Sequence, residues 1–96
     1  MKTFIVEDSP LILQKLVATL EALAPVQVIG SASDEATAVA WLQHDGNDCE
    51  LLIIDIFLKS GTGLGVLRAA TTLGVTSKRV VLTNYATKDM RDACRA

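Results

Sequence analysis

Three times in this chain a short, unbroken apolar run stops on an oxygen-bearing side chain. Thr3-Phe4-Ile5-Val6 runs into Glu7-Asp8, Leu51-Leu52-Ile53-Ile54 into Asp55, and Arg79-Val80-Val81-Leu82 into Thr83. Each run has the length of a strand, is rich in β-branched residues and lacks polar alternation. Strands covered on both faces read this way, as the strands of a parallel sheet do. A parallel sheet requires a long crossover between successive strands, so the segments between the runs must supply helices.

They do. Ser9 is a suitable N-cap and Pro10 suits a first helical turn. Leu11, Ile12, Leu16, Leu20 and Leu23 then recur at helical spacing, which predicts a helix over 10–24 that stops at Pro25. Residues 26–31 form a second β-rich stretch, closing near Gly30. Asp34 and Glu35 open a helix through Val39, Trp41 and Leu42 that stops near Asp45-Gly46-Asn47. The loop Gly61-Thr62-Gly63 leads into a helix from Leu64 to Leu73, with Gly74 as its C-cap. Residues 88–95 begin a last amphipathic segment. The order is β-α-β-α-β-α-β-α, and the expected fold is α/β, a doubly wound parallel sheet with right-handed crossovers.

The chain has 96 residues, which suffice for one domain, and half of them are hydrophobic, enough for a core. Nine basic and eleven acidic residues are spread without a basic run, so this segment is not expected to bind nucleic acid directly. No apolar run approaches the roughly 20 residues of a membrane span, and the start resembles no signal peptide. The expected location is cytoplasmic, with Cys49 and Cys94 as reduced thiols.

In open α/β sheets the functional crevice lies outside the carboxyl ends of the strands. Glu7-Asp8, Asp55 and Thr83 follow three such ends, so residues distant in sequence should converge on one rim. An acid after a strand often only forms a turn or caps the next helix, and Asp34 and Asp45 are read that way. The conjunction of Glu7, Asp8 and Asp55 points further. Clustered carboxylates without His or Cys suit a hard cation, Mg²⁺ above all.

The same residues resemble the receiver domains of two-component response regulators, over the whole chain. Glu7-Asp8 look like the acidic pair after the first strand, Asp55 like the phosphoacceptor after the third, and Thr83 like the hydroxyl residue after the fourth. Asp55 to Leu64 resembles the loop from the phosphoacceptor to the third helix, although Lys59 stands where the family commonly has proline. The resemblance implies a flavodoxin-like fold and a phosphoryl group passed from a histidine kinase to Asp55. It implies Mg²⁺ held by Asp8, Asp55 and the Phe57 backbone carbonyl, with Glu7 acting mostly through water. It also implies a switch at Thr83, with Tyr85 beside it.

The family has five βα units, and the expectation here is a receiver over 1–96 that lacks the fifth. The lysine that follows the family's fifth strand has no counterpart, since Lys59, Lys78 and Lys88 stand in other segments. An open fourth strand and an uncovered first helix would then favour self-association. A degenerate receiver acting as an interaction or oligomerisation module is the alternative function. A dehalogenase-type hydrolase would want Asp-x-Asp after its first strand. A dinucleotide site would want GxGxxG there, which Gly61-Thr62-Gly63-Leu64-Gly65 does not supply.

Overall fold

A computed structural model of the chain describes residues 1–23, 25–45, 48–55, 58 and 61–82. Among these described residues four strands and three helices alternate: β1 Lys2–Val6, α1 Pro10–Leu23, β2 Gln27–Ala32, α2 Glu35–Asp45, β3 Leu51–Asp55, α3 Gly63–Thr72 and β4 Lys78–Leu82. All pairings are parallel, and the strand order is β2-β1-β3-β4. This is the flavodoxin-like order as far as its fourth strand. The expected α/β parallel architecture is therefore what forms.

Register does the positioning. Val6 lies opposite Ile54, Ile54 opposite Val81, and Asp55 opposite Leu82. Asp55 is thus the last residue of β3 rather than the first residue beyond it. On the other side of β1 the pairing slips: Thr3 faces Val28 but Phe4 faces Gly30, leaving Ile29 as an extra residue in β2. The slip brings Ala32 opposite Val6, and the N–H of Glu7 donates to Ala32 O at 2.9 Å. It also explains why β2 runs one residue later than the sequence suggests.

Period-2 alternation splits the buried residues between two faces. Phe4, Val6, Leu52 and Ile54 join Ala38 and Leu42 of α2 and Val66 and Ala70 of α3 in the main core. Phe4 stacks on Trp41, ring centroids 3.8 Å apart, and Gly30 leaves room for the Phe4 ring, since a Cβ there would lie 3.1 Å from it. Ile5 and Ile53 point the other way and are buried with Ile12 of α1. Cys49 is buried and free, its thiol donating to Leu51 O at 2.8 Å, as expected of a reduced cysteine.

The helix ends follow their local chemistry. Ser9 Oγ accepts from the N–H of Ile12, and Asp34 Oδ1 from that of Thr37, so both act as N-caps. At the end of α3 the cap is Leu73. Gly74, expected in that role, is the following residue, where its φ of 73° places the left-handed conformation that glycine adopts without strain. The last amphipathic segment, 88–95, and with it Cys94, lie outside the described residues.

Candidate metal and phosphoacceptor centre

The sheet order reverses between β1 and β3: the chain leaves β1 towards β2, then returns to place β3 on the other side. A crevice opens at the carboxyl ends where neighbouring crossovers diverge in this way. Glu7 follows Val6, and Asp55 follows Ile54, directly across the β1–β3 ladder. Both are one step beyond residues facing the α2–α3 core, so both turn towards the α1 side. Asp8 comes next, in the turn that enters α1.

The three carboxylates meet there. Glu7, Asp8 and Asp55 each offer an oxygen, and these atoms all lie within 4.8 Å of one another. Their side chains are buried, with 1%, 8% and 0% exposure. Residues 48 positions apart are brought into one group by register alone. Glu7 is further fixed because its Oε1 accepts the N–H of Ser9 at 3.0 Å. A shallow cleft lined by Glu7, Asp8, Pro10, Leu13, Ser31, Ala32, Ser33 and Thr37 opens beside the group. Thr37, in its lining, gives the Asp34 carboxylate hydrogen bonds from its backbone and side chain, which lower the Asp34 carboxyl from its ordinary value.

At 4.8 Å and an effective dielectric constant of 20, two ionised carboxylates repel by about 3 kcal/mol. A cation reverses the sign of that interaction, and the donor set selects its type. Hard oxygens with no nitrogen or sulfur suit Mg²⁺, whose ligands at about 2.1 Å lie at most about 4.2 Å from one another. A group spanning up to 4.8 Å fits this ion when one carboxylate reaches it through a retained water. The residues present therefore fit the ion expected for them.

Phe57, Thr83 and Tyr85, expected to complete the site, lie outside the described residues, as do Lys59, Asn84 and Lys88. Lys78 is the first residue of β4, at the opposite rim, where its N–H donates to Glu50 O. It stays apart from the acids, as its segment indicates. The glycine-rich stretch before α3 is engaged within the protein: the N–H of Thr62 donates to Glu35 Oε1 at 2.7 Å, and that of Gly65 to Thr62 Oγ1 at 2.9 Å. Sequence reading took Glu35 only as part of the α2 start and missed its reach to α3. A carboxylate in hydrogen-bond contact in space, but 27 residues away in sequence, leaves no local signature.

Comparison with known proteins agrees with this geometry. The profile of the response regulator receiver domain matches residues 3–96. No curated protein sequence matches the chain. Among solved structures, the signal receiver domain of NarL from Mycobacterium tuberculosis superposes with a TM-score of 0.74 at 19% identity, over 88% of this chain and 69% of that one. A DNA-binding response regulator of the LuxR family from Staphylococcus aureus gives 0.74 at 16%, over 92% and 74%. RcsB of Salmonella typhimurium gives 0.70 at 26%, over 86% of this chain and 41% of its own. The chain thus spans less than half the length of RcsB. The first two likenesses establish the fold alone. A profile match across nearly every residue, on a sheet whose order and acid-bearing rim it would require, settles the family: this chain belongs to the response regulator receiver domains.

Proposed function

We propose that residues 1–96 act as one signalling domain that accepts a phosphoryl group on Asp55 from a phosphohistidine of a partner kinase. One observation carries the reading: Glu7, Asp8 and Asp55 share a buried pocket at the point where the strand order reverses. Asp8, Asp55 and the Phe57 carbonyl would hold Mg²⁺, with Glu7 joining through water. When bound, the ion supplies neutralisation of charge on the phosphoryl oxygens.

The chain's own part is positional. Asp55 sits at the end of a strand hydrogen-bonded on both sides, so its carboxylate is held without a mobile backbone. A carboxylate oxygen of Asp55 attacks phosphorus, the P–N bond of phosphohistidine breaks, and the imidazole leaves with the bonding electrons. Such transfer asks for in-line placement and charge balance rather than covalent help. Thr83 follows the residue paired with Asp55, and its hydroxyl would turn towards the acquired phosphoryl group, with Tyr85 governing the approach of water.

The test is incubation of the chain with Mg²⁺ and a small acyl phosphate, followed by peptide mass analysis. A phosphoryl group on the peptide holding Asp55, absent from D55N, is the expected result. Labelling that persists in D55N, or no labelling with Mg²⁺ bound, overturns the reading.

A second reading, an interaction module without phosphotransfer, is favoured by apolar surface on α1 and β4, where Leu11 is 45% and Val80 44% exposed. Self-association through β4 and α1 would use that surface. Mg²⁺ binding that is lost in Asp8→Ala supports the phosphoacceptor; no Mg²⁺ binding, with concentration-dependent dimers in light scattering, supports the module.

A further inference from the structure

A helix begins with N–H groups that lack partners within it. In a capping box the N-cap Ser or Thr accepts the N–H of the third helical residue, and a Glu or Gln at that third position reaches back to the N-cap N–H. The start of α3 has the first half: Thr62 is the N-cap, in extended conformation, and its Oγ1 accepts from Gly65 N. Gly65 is the third residue of the helix, and it has no side chain to supply the second half.

The missing group comes from another helix. Glu35, the first residue of α2, places its carboxylate where a Gly65 side chain would be: a Cβ built on Gly65 would overlap all of its terminal atoms. Glu35 Oε1 accepts the N–H of Thr62 at 2.7 Å, the bond that the box assigns to a residue of its own helix. Gly61, with φ 76°, passes so close to the Glu35 stem that a Cβ there would collide with it. Two glycines thus clear the space that one carboxylate fills, and that carboxylate also lies at the positive end of the α3 dipole.

We propose that Glu35 completes the α3 capping box in trans, and that by fixing Gly61 and Thr62, six and seven residues after Asp55 in sequence, it supports transfer to Asp55. The second half of this inference rests on Asp55 being the phosphoacceptor. Glu35 is then a positioning residue. It acts through Gly61 and Thr62, at the start of α3, and not by contact with the phosphoryl group. It couples α2, which follows the strand bonded to Glu7, to the start of α3.

The decisive comparison uses the whole chain with Mg²⁺ in four forms: wild type, E35Q, E35A, and E35A with G65E, which returns a glutamate to the third position of α3. Amide exchange at Thr62 reports the cap, labelling of Asp55 by acetyl phosphate reports positioning, and thermal unfolding reports folding. E35A is expected to speed Thr62 exchange about fivefold to tenfold, the size of a lost cap, and to slow labelling by a similar factor while remaining folded. E35Q retains an accepting oxygen and keeps most of both. The double variant is expected to recover Thr62 protection and labelling together, which a general loss of stability would not do. Unchanged Thr62 exchange in E35A overturns the cap. Lost protection with unaltered labelling overturns the positioning role. If wild type is never labelled, the phosphoacceptor reading fails and positioning with it, while exchange at Thr62 still decides the cap.

Discussion

The two faces of the sheet are packed to different degrees. Towards α2 and α3, Phe4, Val6, Ala38, Leu52, Ile54, Val66 and Ala70 are fully buried, and Leu42 nearly so. Towards α1, Ile5, Ile53 and Ile12 are buried, but Leu13, Leu16, Val17 and Leu20 are only half-buried among the described residues. The three acids turn to this second side. The close-packed face is where folding free energy concentrates, because burial and dispersion both scale with contact. The other face carries the grouped carboxylates on a framework held from behind.

Mutations can break that contrast. Phe4→Ala removes a fully buried ring stacked on Trp41, and should cost about 3–5 kcal/mol in urea unfolding. A loss near 1 kcal/mol would mean the α2–α3 face is not the stronger one. Mg²⁺ should sharpen the picture from the opposite side: at a hundredfold excess over its Kd it should add about 2.7 kcal/mol to wild type and little to Asp8→Ala. Equal stabilisation of both would place the ion elsewhere. Leu16→Ala, on the half-buried stripe of α1, should cost about 1 kcal/mol. A cost matching that of Phe4→Ala would erase the distinction between the faces.

The smallest effect is a pH dependence at the N-terminus of α2. Thr37 holds the Asp34 carboxyl below its usual value, so the folded state binds a proton less readily than the unfolded chain. Stability from this cap is fully present above the unfolded value near 3.8 and fades as pH falls through the lower folded one. Acid titration of wild type against Asp34→Ala should therefore diverge above pH 4 and converge in stronger acid. Curves that stay parallel would remove Asp34 from the account.

Much of this was legible in the residues. Unbroken apolar runs marked buried parallel strands, Ser9 and Asp34 marked helix starts, and acids at strand ends marked the rim. What could not be read was anything set by pairing between strands. The register that puts Glu7 level with Asp55, and the membership of Asp55 in β3, depend on ladders between distant segments. The Glu35 cap is hidden for a related reason. Local rules look for the capping glutamate three residues after Thr62, and there they find glycine.

The extra residue in β2 has a consequence for how such chains can vary in length. Because Ile29 is passed over in the ladder, the strand delivers Ala32, and with it the whole start of α2, to the height of Val6. Deleting Ile29 itself would merely close the bulge, but deleting a paired residue after it, such as Ser31, would leave two outcomes: either the bulge closes and Ile29 takes the place of Gly30 opposite Phe4, or the bulge stays and α2 begins about 3.3 Å short of its present level. In the second case the reach from Glu35 to Thr62 is broken without touching either residue. Changes of length, harmless in most surface turns, would here act as an adjustment screw on the distance between two helices.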